Sequence, residues 1–327
     1  MFKKIFFLFL LSFGTSIFAS DLARIYLNEG LEAVGRELEK ELANKNFWLT
    51  ELEGKDLSLG YYSERTAIVL TNKTDKTLKV FLYNNGSLNQ VFEQSNVLTG
   101  LMGDKQKEGD LITPVGFYDL GAKFDPKNTY YGPFAFATDY PNLLDRVNDK
   151  TGGGIWIHGY PMDGTRLDEY KTRGCIALHN HILVDFSKII DKEKNVYAMT
   201  ENKEAFRTNK EDIASIMASL FAWKDSWTVS DIDRYLSFYD EKDFKRFDKS
   251  GFKEFANMKR IIFSRNEDKT IKFSNINISP YPNLANQKMF RITFYQDYQA
   301  TNHRFRGNKL LYVKLDENGK MKIIAER

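Results

Sequence analysis

Cysteine is almost absent: Cys175 is the single thiol in 327 residues. One cysteine excludes an internal disulfide framework and any multi-cysteine zinc or iron–sulfur site. Neither sign of charge dominates, since 47 Lys and Arg face 44 Asp and Glu. The resulting net charge of +3 is no argument for a nucleic-acid partner, which takes a clustered basic face. Proline is sparse, at seven residues, and there is no internal repeat or low-complexity tract. Past the N-terminus no apolar run reaches the roughly 20 residues that a membrane-spanning helix needs. What is present is core material: 42% hydrophobic and 14% aromatic residues exclude a disordered or collagen-like chain. At roughly 150 residues per domain, the length suits two domains.

The N-terminus carries the one conspicuous apolar run. Lys3 and Lys4 precede Ile5 to Phe13, small or polar residues follow, and cleavage fits after Ala19. This is the layout of a secretory signal peptide over residues 1–19, and the run is too short to span a bilayer. The expected mature protein is exported, has no membrane span, and loses the two signal lysines from its net charge. Its lone thiol would then lie in a compartment where disulfides form, with no partner in the chain.

Residues 20–65 read as a helical segment. Leu27, Leu31, Val34, Leu38 and Leu42 recur at helical spacing among Glu32, Arg36, Glu37, Glu39, Lys40 and Glu41. The stripe can pack on the chain's own domain or on a second protomer, so a homodimer is a fair expectation. From Thr66 to about residue 200 the texture is mostly β, with runs at Ala67–Leu70, Leu78–Tyr83, Val91–Leu98 and Ile155–Ile157. Asn85-Gly86 is a hairpin-turn dipeptide between the second and third of these. Thr200–Asp212 is polar enough for a linker or a helix entry. Within residues 201–327, helices are expected near 213–221, 230–240 and 251–263, then four β-runs near 270–279, 288–299, 308–315 and 320–325, an α+β order.

The densest reactive cluster is Ile157-His158-Gly159, then Thr172-Arg173-Gly174-Cys175. A thiol attacks only as thiolate, and at neutral pH it needs a base beside it and a third group to orient that base. His158 ends a candidate strand, and the 16 residues between it and Cys175 allow a loop to return the thiol to it. Arg173 would stabilise the thiolate, and the Gly174 and Cys175 N–H groups could form an oxyanion hole. The competing reading is that a free cysteine is a small buried hydrophobe.

These residues resemble the L,D-transpeptidase (YkuD-type) catalytic domain, whose motif is a histidine followed at a distance by Ser/Thr-His-Gly-Cys. Here His158 precedes Thr172-Arg173-Gly174-Cys175 by a gap of 13 residues, one short of the usual spacing. Upstream, Asp104-Lys105, Glu108-Gly109-Asp110 and Thr113-Pro114-Val115-Gly116-Phe117-Tyr118 resemble a second family stretch. Arg173 stands where many members have histidine, and the residues after Cys175 follow the family only loosely. The wider order is a helical segment (20–65), a mostly-β catalytic domain (66–200) and an α+β NTF2-like cone (201–327). That order resembles periplasmic L,D-carboxypeptidases that set cell shape in helical bacteria.

The resemblance implies that Cys175 is the nucleophile, His158 the base and then acid, and the Gly159 carbonyl the group that orients His158. The implied substrate is the peptidoglycan stem peptide, trimmed from tetrapeptide to tripeptide through a thioester, without metal or organic cofactor. Transpeptidation, giving 3–3 cross-links or D-amino-acid exchange, shares the first half-reaction. A non-catalytic cell-wall or glycan-binding protein is the reading from another class, and the sortase pattern fits less well.

Other residues carry weaker signals. Arg166, Arg173, Thr172 and Trp156 are candidates for the substrate wall, the arginines for a stem-peptide carboxylate. His179 and His181 lack the further ligands of a metal site. Gly152-Gly153-Gly154 precedes a strand and is no phosphate loop. In the C-terminal domain Trp223, Trp227, Tyr235, Phe238, Tyr239, Tyr295 and Tyr298 either fill a core or wall a cavity for a small ligand or glycan.

Overall fold

A computed structural model describes residues 19–164 and 171–327, so the signal peptide, apart from Ala19, and Arg166 lie outside the described residues. Residues 19–29 are helical, followed by α1 (Leu31–Leu42) and α2 (Lys45–Glu51). The apolar stripe read as one helix is therefore broken, at Gly30, whose φ of 84° leaves the helical region. Its N-terminal part stays open, with Leu27 82% and Leu31 73% exposed. Its C-terminal part turns inward: Leu42, Trp48 and Leu49 pack on the C-terminal core, and Trp48 stacks on Phe221 with centroids 5.7 Å apart. Buried Lys224 reaches back to Glu39 at 2.5 Å.

β1 (Tyr61–Tyr62) leaves this segment to pair with a C-terminal strand. The chain then builds β2 (Thr66–Asn72), β3 (Thr77–Asn84), β4 (Ser87–Ser95), β5 (Gly116–Phe124), β6 (Ala135–Thr138), the short helix α3 (Leu143–Val147), β7 (Trp156–His158), β8 (Ile176–Ala177), α4 (Asn180–Ile190) and β9 (Val196–Glu201). These strands form one eight-stranded sheet in the order β4-β3-β2-β9-β5-β6-β7-β8. β2 is buried along its whole length because it lies between β3 and parallel β9, which suits its unbroken Ala67–Leu70 apolar run. α4 covers the sheet with Leu183, Phe186 and Ile190.

The C-terminal part follows the expected order. α5 (Lys210–Thr228), α6 (Ile232–Leu236), β10 (Lys245–Arg246) and α7 (Phe252–Phe263) precede the antiparallel run β11 (Lys269–Pro280), β12 (Met289–Ala300), β13 (Arg304–Leu315) and β14 (Met321–Glu326). The expected linker is shorter than read: Thr200 and Glu201 complete β9, and Asn209 already caps α5 through the Asp212 N–H. The sheet order is β1-β11-β12-β13-β14-β10, and α5, α6 and α7 supply the other half of its core.

Most of the C-terminal aromatics serve packing. Trp223, Tyr235 and Tyr239 are fully buried, and Trp223 stacks on Tyr235 at 5.7 Å. Into the same ring set α7 inserts Lys259, whose Nζ lies 5.1 to 5.2 Å from the centroids of Trp227, Tyr235 and Phe255. The two sheets share apolar contacts through Leu59, Ile68, Phe117, Met199, Tyr281 and Tyr312. Buried Arg291 adds an ion pair to Asp119 at 2.8 Å. No helix among the described residues is long and apolar enough to cross a membrane.

Candidate active site

The upstream sequence stretch folds into a loop stapled by buried charges. Asp110 accepts from Lys105 Nζ at 2.7 Å and from the N–H groups of Gln106, Lys107 and Ile112 at 2.8, 3.0 and 3.1 Å. Burial alone would raise this carboxyl, but Lys105 and the backbone amides outweigh it and hold Asp110 well below the usual carboxylate range. Asp104 accepts from the Val115 N–H at 2.9 Å and from Lys150 at 2.7 Å. Lys73 ties the loop's two ends, donating to the carbonyls of Gly103 and Thr113 at 2.7 and 2.9 Å. Burial lowers its ammonium to about 8.

This loop backs the turn that carries Cys175. Gly174 has a φ of 120°, and a Cβ there would stand 3.0 Å from the Ile112 carbonyl oxygen and 3.1 Å from Ile155. Only glycine fits that approach. Thr172 closes the turn: its hydroxyl donates to the Cys175 carbonyl at 2.6 Å and accepts from the Gly174 N–H at 3.2 Å. β7 and β8 then run parallel, with Ile157 opposite Ile176 and His158 opposite Ala177, which sets Cys175 beside the strand that carries His158.

His158 is 1% exposed, and its Nδ1 lies 2.6 Å from the carbonyl oxygen of Gly159. A carbonyl only accepts, so Nδ1 carries the hydrogen and Nε2 keeps its lone pair. Burial lowers the imidazole below its ordinary value, partly offset by the Gly159 carbonyl, and the resting ring is neutral. Tyr131 fixes the ring's plane by an edge contact at 5.1 Å. The Gly159 backbone is fixed in turn: its N–H donates to the Tyr131 carbonyl at 3.0 Å, and any Cβ would collide with Asn180 Oδ1.

Cys175 is partly accessible, and its thiol donates to the Gly154 carbonyl at 3.3 Å. Burial pushes the thiol up to about 11, against a backbone contact at Trp156 and the charge of Lys105. Cys175 and His158 line one cavity of about 650 Å³, together with Lys105, Arg173 and Tyr131.

Several residue readings change on this geometry. The Gly174 N–H is already bonded to Thr172, so of the two oxyanion donors expected, Cys175 N–H remains. Thr172 lines the cavity but is buried, with its hydroxyl committed to the turn. Trp156 packs behind the site on Phe124 and Tyr131, at 5.1 and 4.9 Å. Arg173 lines the cavity but is exposed, so solvent screens its charge. Gly152-Gly153-Gly154 forms part of the cavity wall. His179 stacks between Tyr160 and His181, and no group of three or more His, Cys, Asp or Glu gathers in a metal-binding cluster among the described residues. Tyr131 and the cavity face of Lys105 were missed. Lys105 lay in a quoted motif, yet its direction depends on the fold of the loop.

The chain's similarities fall on these same parts. Residues 66–202 match the L,D-transpeptidase catalytic domain family, 215–327 the Cds6 C-terminal NTF2-like domain, and 19–53 the cell-shape determining Csd6 N-terminal dimerization domain. The structure resembles that of the helical cell shape determining protein Pgp2 of Campylobacter jejuni, at 62% identity and a TM-score of 0.84, over 88% of this chain and all (100%) of that one. Bd1075 of Bdellovibrio bacteriovorus is similar at 26% identity and a TM-score of 0.63, over 83% of this chain and 95% of that one. YafK of Escherichia coli, named as an L,D-transpeptidase, is 29% identical over 107 residues, which is 30% of this chain and 42% of that relative's length. With a YkuD-type domain around Cys175 and His158, an NTF2-like domain after it and a Pgp2-like structure overall, the chain belongs to the L,D-transpeptidase-domain family of cell-shape determining proteins.

Proposed function

We propose that this protein is a periplasmic peptidoglycan L,D-carboxypeptidase that removes the terminal D-alanine from tetrapeptide stems and so affects cell shape. The observation that carries this reading is the Nδ1 contact of His158 with Gly159, which leaves Nε2 free as a base on the cavity that holds Cys175. In the proposed reaction the Sγ proton passes to His158 Nε2 and sulfur attacks the carbonyl between the L-centre of diaminopimelate and D-alanine. The oxyanion faces the Cys175 N–H. Collapse breaks the C–N bond, and His158 returns the proton to the leaving amine of D-alanine. Water, deprotonated by His158, then cleaves the thioester and restores the thiol.

Transpeptidation differs only in the second step, where an amine takes the place of water. The test is incubation with diaminopimelate-containing tetrapeptide muropeptides, read by mass. Tripeptide plus free D-alanine supports hydrolysis, whereas 3–3 cross-linked products or exchange with added D-amino acids favour the transpeptidase reading. Activity in neither assay, with Cys175→Ala indistinguishable from wild type, leaves the non-catalytic binding protein.

The other partners belong to the same reading. The exposed Leu27 and Leu31 lie within the match to a dimerization domain, which supports a homodimer through the N-terminal segment. A small ligand or glycan in the C-terminal domain stays part of this reading, although Tyr235 and Phe255 around Lys259 pack as core.

A further inference from the structure

Among the described residues the resting thiol is hydrogen-bonded to no cation, and His158 becomes positive only once it has taken the thiol proton. The Cys175 thiol is held by the neutral Gly154 carbonyl, and the His158 imidazole is neutral as well. Arg173 poorly meets the sequence expectation of a charge that stabilises the thiolate, since it is exposed. Lys105 meets it differently. It is 3% exposed, yet lines the cavity with Cys175. Asp110 and the Lys107 carbonyl take two of its three N–H donors, at 2.7 and 3.1 Å, and leave one. Its Cε abuts Gly152, where a Cβ would stand 3.2 Å away, at the start of the three-glycine wall that ends in the Gly154 carbonyl on the thiol.

We propose that Lys105 is the positioning cation of this site, fixed by Asp110 so that its field favours the Cys175 thiolate when the thiol proton moves to His158 Nε2. The inference rests on the nucleophile reading above and deepens it. Asp110 shares its charge with three backbone N–H groups besides Lys105. The other titratable or charged groups on the cavity are Glu108, Tyr130, Tyr131, His158, Lys171 and Arg173, and of these Glu108, Tyr130 and Arg173 are exposed. A buried fixed charge acts with little screening, whereas exposed ones fade with salt. Among the influences on the thiol, burial is the largest and raises it, and Lys105 is the side-chain charge that acts in the opposite sense.

The lone cysteine makes the test direct, because alkylation by iodoacetamide reports on Cys175 alone. Its rate is followed by intact mass across pH for wild type, Lys105→Met and Lys105→Arg in the mature chain. The expected result is a midpoint about one unit higher in Lys105→Met, which is about a tenfold loss of thiolate below the midpoint, with Lys105→Arg close to wild type. Coincident Lys105→Met and wild-type profiles overturn the proposal alone, leaving D-alanine release as the separate test of the enzyme reading. If Lys105→Met does not fold, the wild-type midpoint decides: it is expected to stay fixed from low to high salt. A midpoint that climbs with salt assigns the field to exposed groups and overturns the proposal. A wild-type thiol that alkylates at no pH contradicts the nucleophile reading and the proposal together.

Discussion

The protein buries a lysine amine in each of its two sheets' territories, and the two are treated differently. Lys105 of the catalytic part lies 2.7 Å from a carboxylate and 3.1 Å from a carbonyl, on the cavity wall that also holds Gly152-Gly153-Gly154. Lys259 of the C-terminal part lies over the faces of Trp227, Tyr235 and Phe255, and burial lowers it to about 8 despite the attraction of Glu326. Ring faces attract a cation but replace lost water only in part, whereas a carboxylate at contact distance offsets more of that loss. The two sites differ in what replaces water around a buried ammonium: a carboxylate and a carbonyl at Lys105, ring faces at Lys259.

The comparison breaks most severely if Lys105 is left as Lys259 is. Asp110→Ala removes the carboxylate from a buried ammonium and strips three backbone amides of their acceptor. An uncompensated buried charge costs about 3–5 kcal/mol, to be read as lost stability in denaturant unfolding. A loss within the range of an ordinary surface substitution would show that the loop does not depend on the pair.

Next in size is Gly174→Ala, which tests the wall the two motifs share. The φ of 120° and the Ile112 carbonyl 3.0 Å from the new Cβ predict a cost of about 1–3 kcal/mol, with loss of D-alanine release at temperatures where the protein stays folded. Full activity in the folded variant would disconnect the upstream loop from the nucleophile.

Lys259→Met addresses the other side. A lysine whose folded pKa lies near 8, below its unfolded value of about 10.5, binds its proton more weakly in the folded state. Its contribution therefore opposes folding at neutral pH, and stability rises as pH climbs from about 8 toward 10.5. The variant is expected to melt higher than wild type at pH 7, with the gap closing over that window. A gap independent of pH would show that packing, not charge, sets the difference.

The smallest shift concerns His158. Because burial lowers its pKa, kcat/KM for D-alanine release is expected to hold down to pH 6.5 and to fall only below it. An acid limb above 6.5 would contradict a neutral, buried base.

What was legible in the sequence is what local pattern controls. The Asn85-Gly86 hairpin, the apolar run of β2, the helices α5 and α7 and the four closing strands follow from turn chemistry and periodicity. The His158–Cys175 spacing placed both residues on one cavity, because a strand pair needs only a loop between them. What was not legible depends on distant pairing. β9 is a strand because it joins β2 and β5 across the chain, and β1 leaves the N-terminal segment for the C-terminal sheet. Arg173 stands two residues before the cysteine and is exposed on the cavity, whereas Lys105, 70 positions away, is buried on the same cavity and held by Asp110. Sequence adjacency is a poor guide to electrostatics, since burial decides how far a charge is felt.

The central claim is that Cys175, activated by His158, cleaves the bond to the terminal D-alanine. Free D-alanine released from a diaminopimelate-containing tetrapeptide muropeptide measures it most directly, with wild type, Cys175→Ala and His158→Ala compared at equal folded concentration. Wild type is expected to release stoichiometric D-alanine and tripeptide, and neither variant any. D-alanine release by Cys175→Ala at the wild-type rate would contradict the central claim.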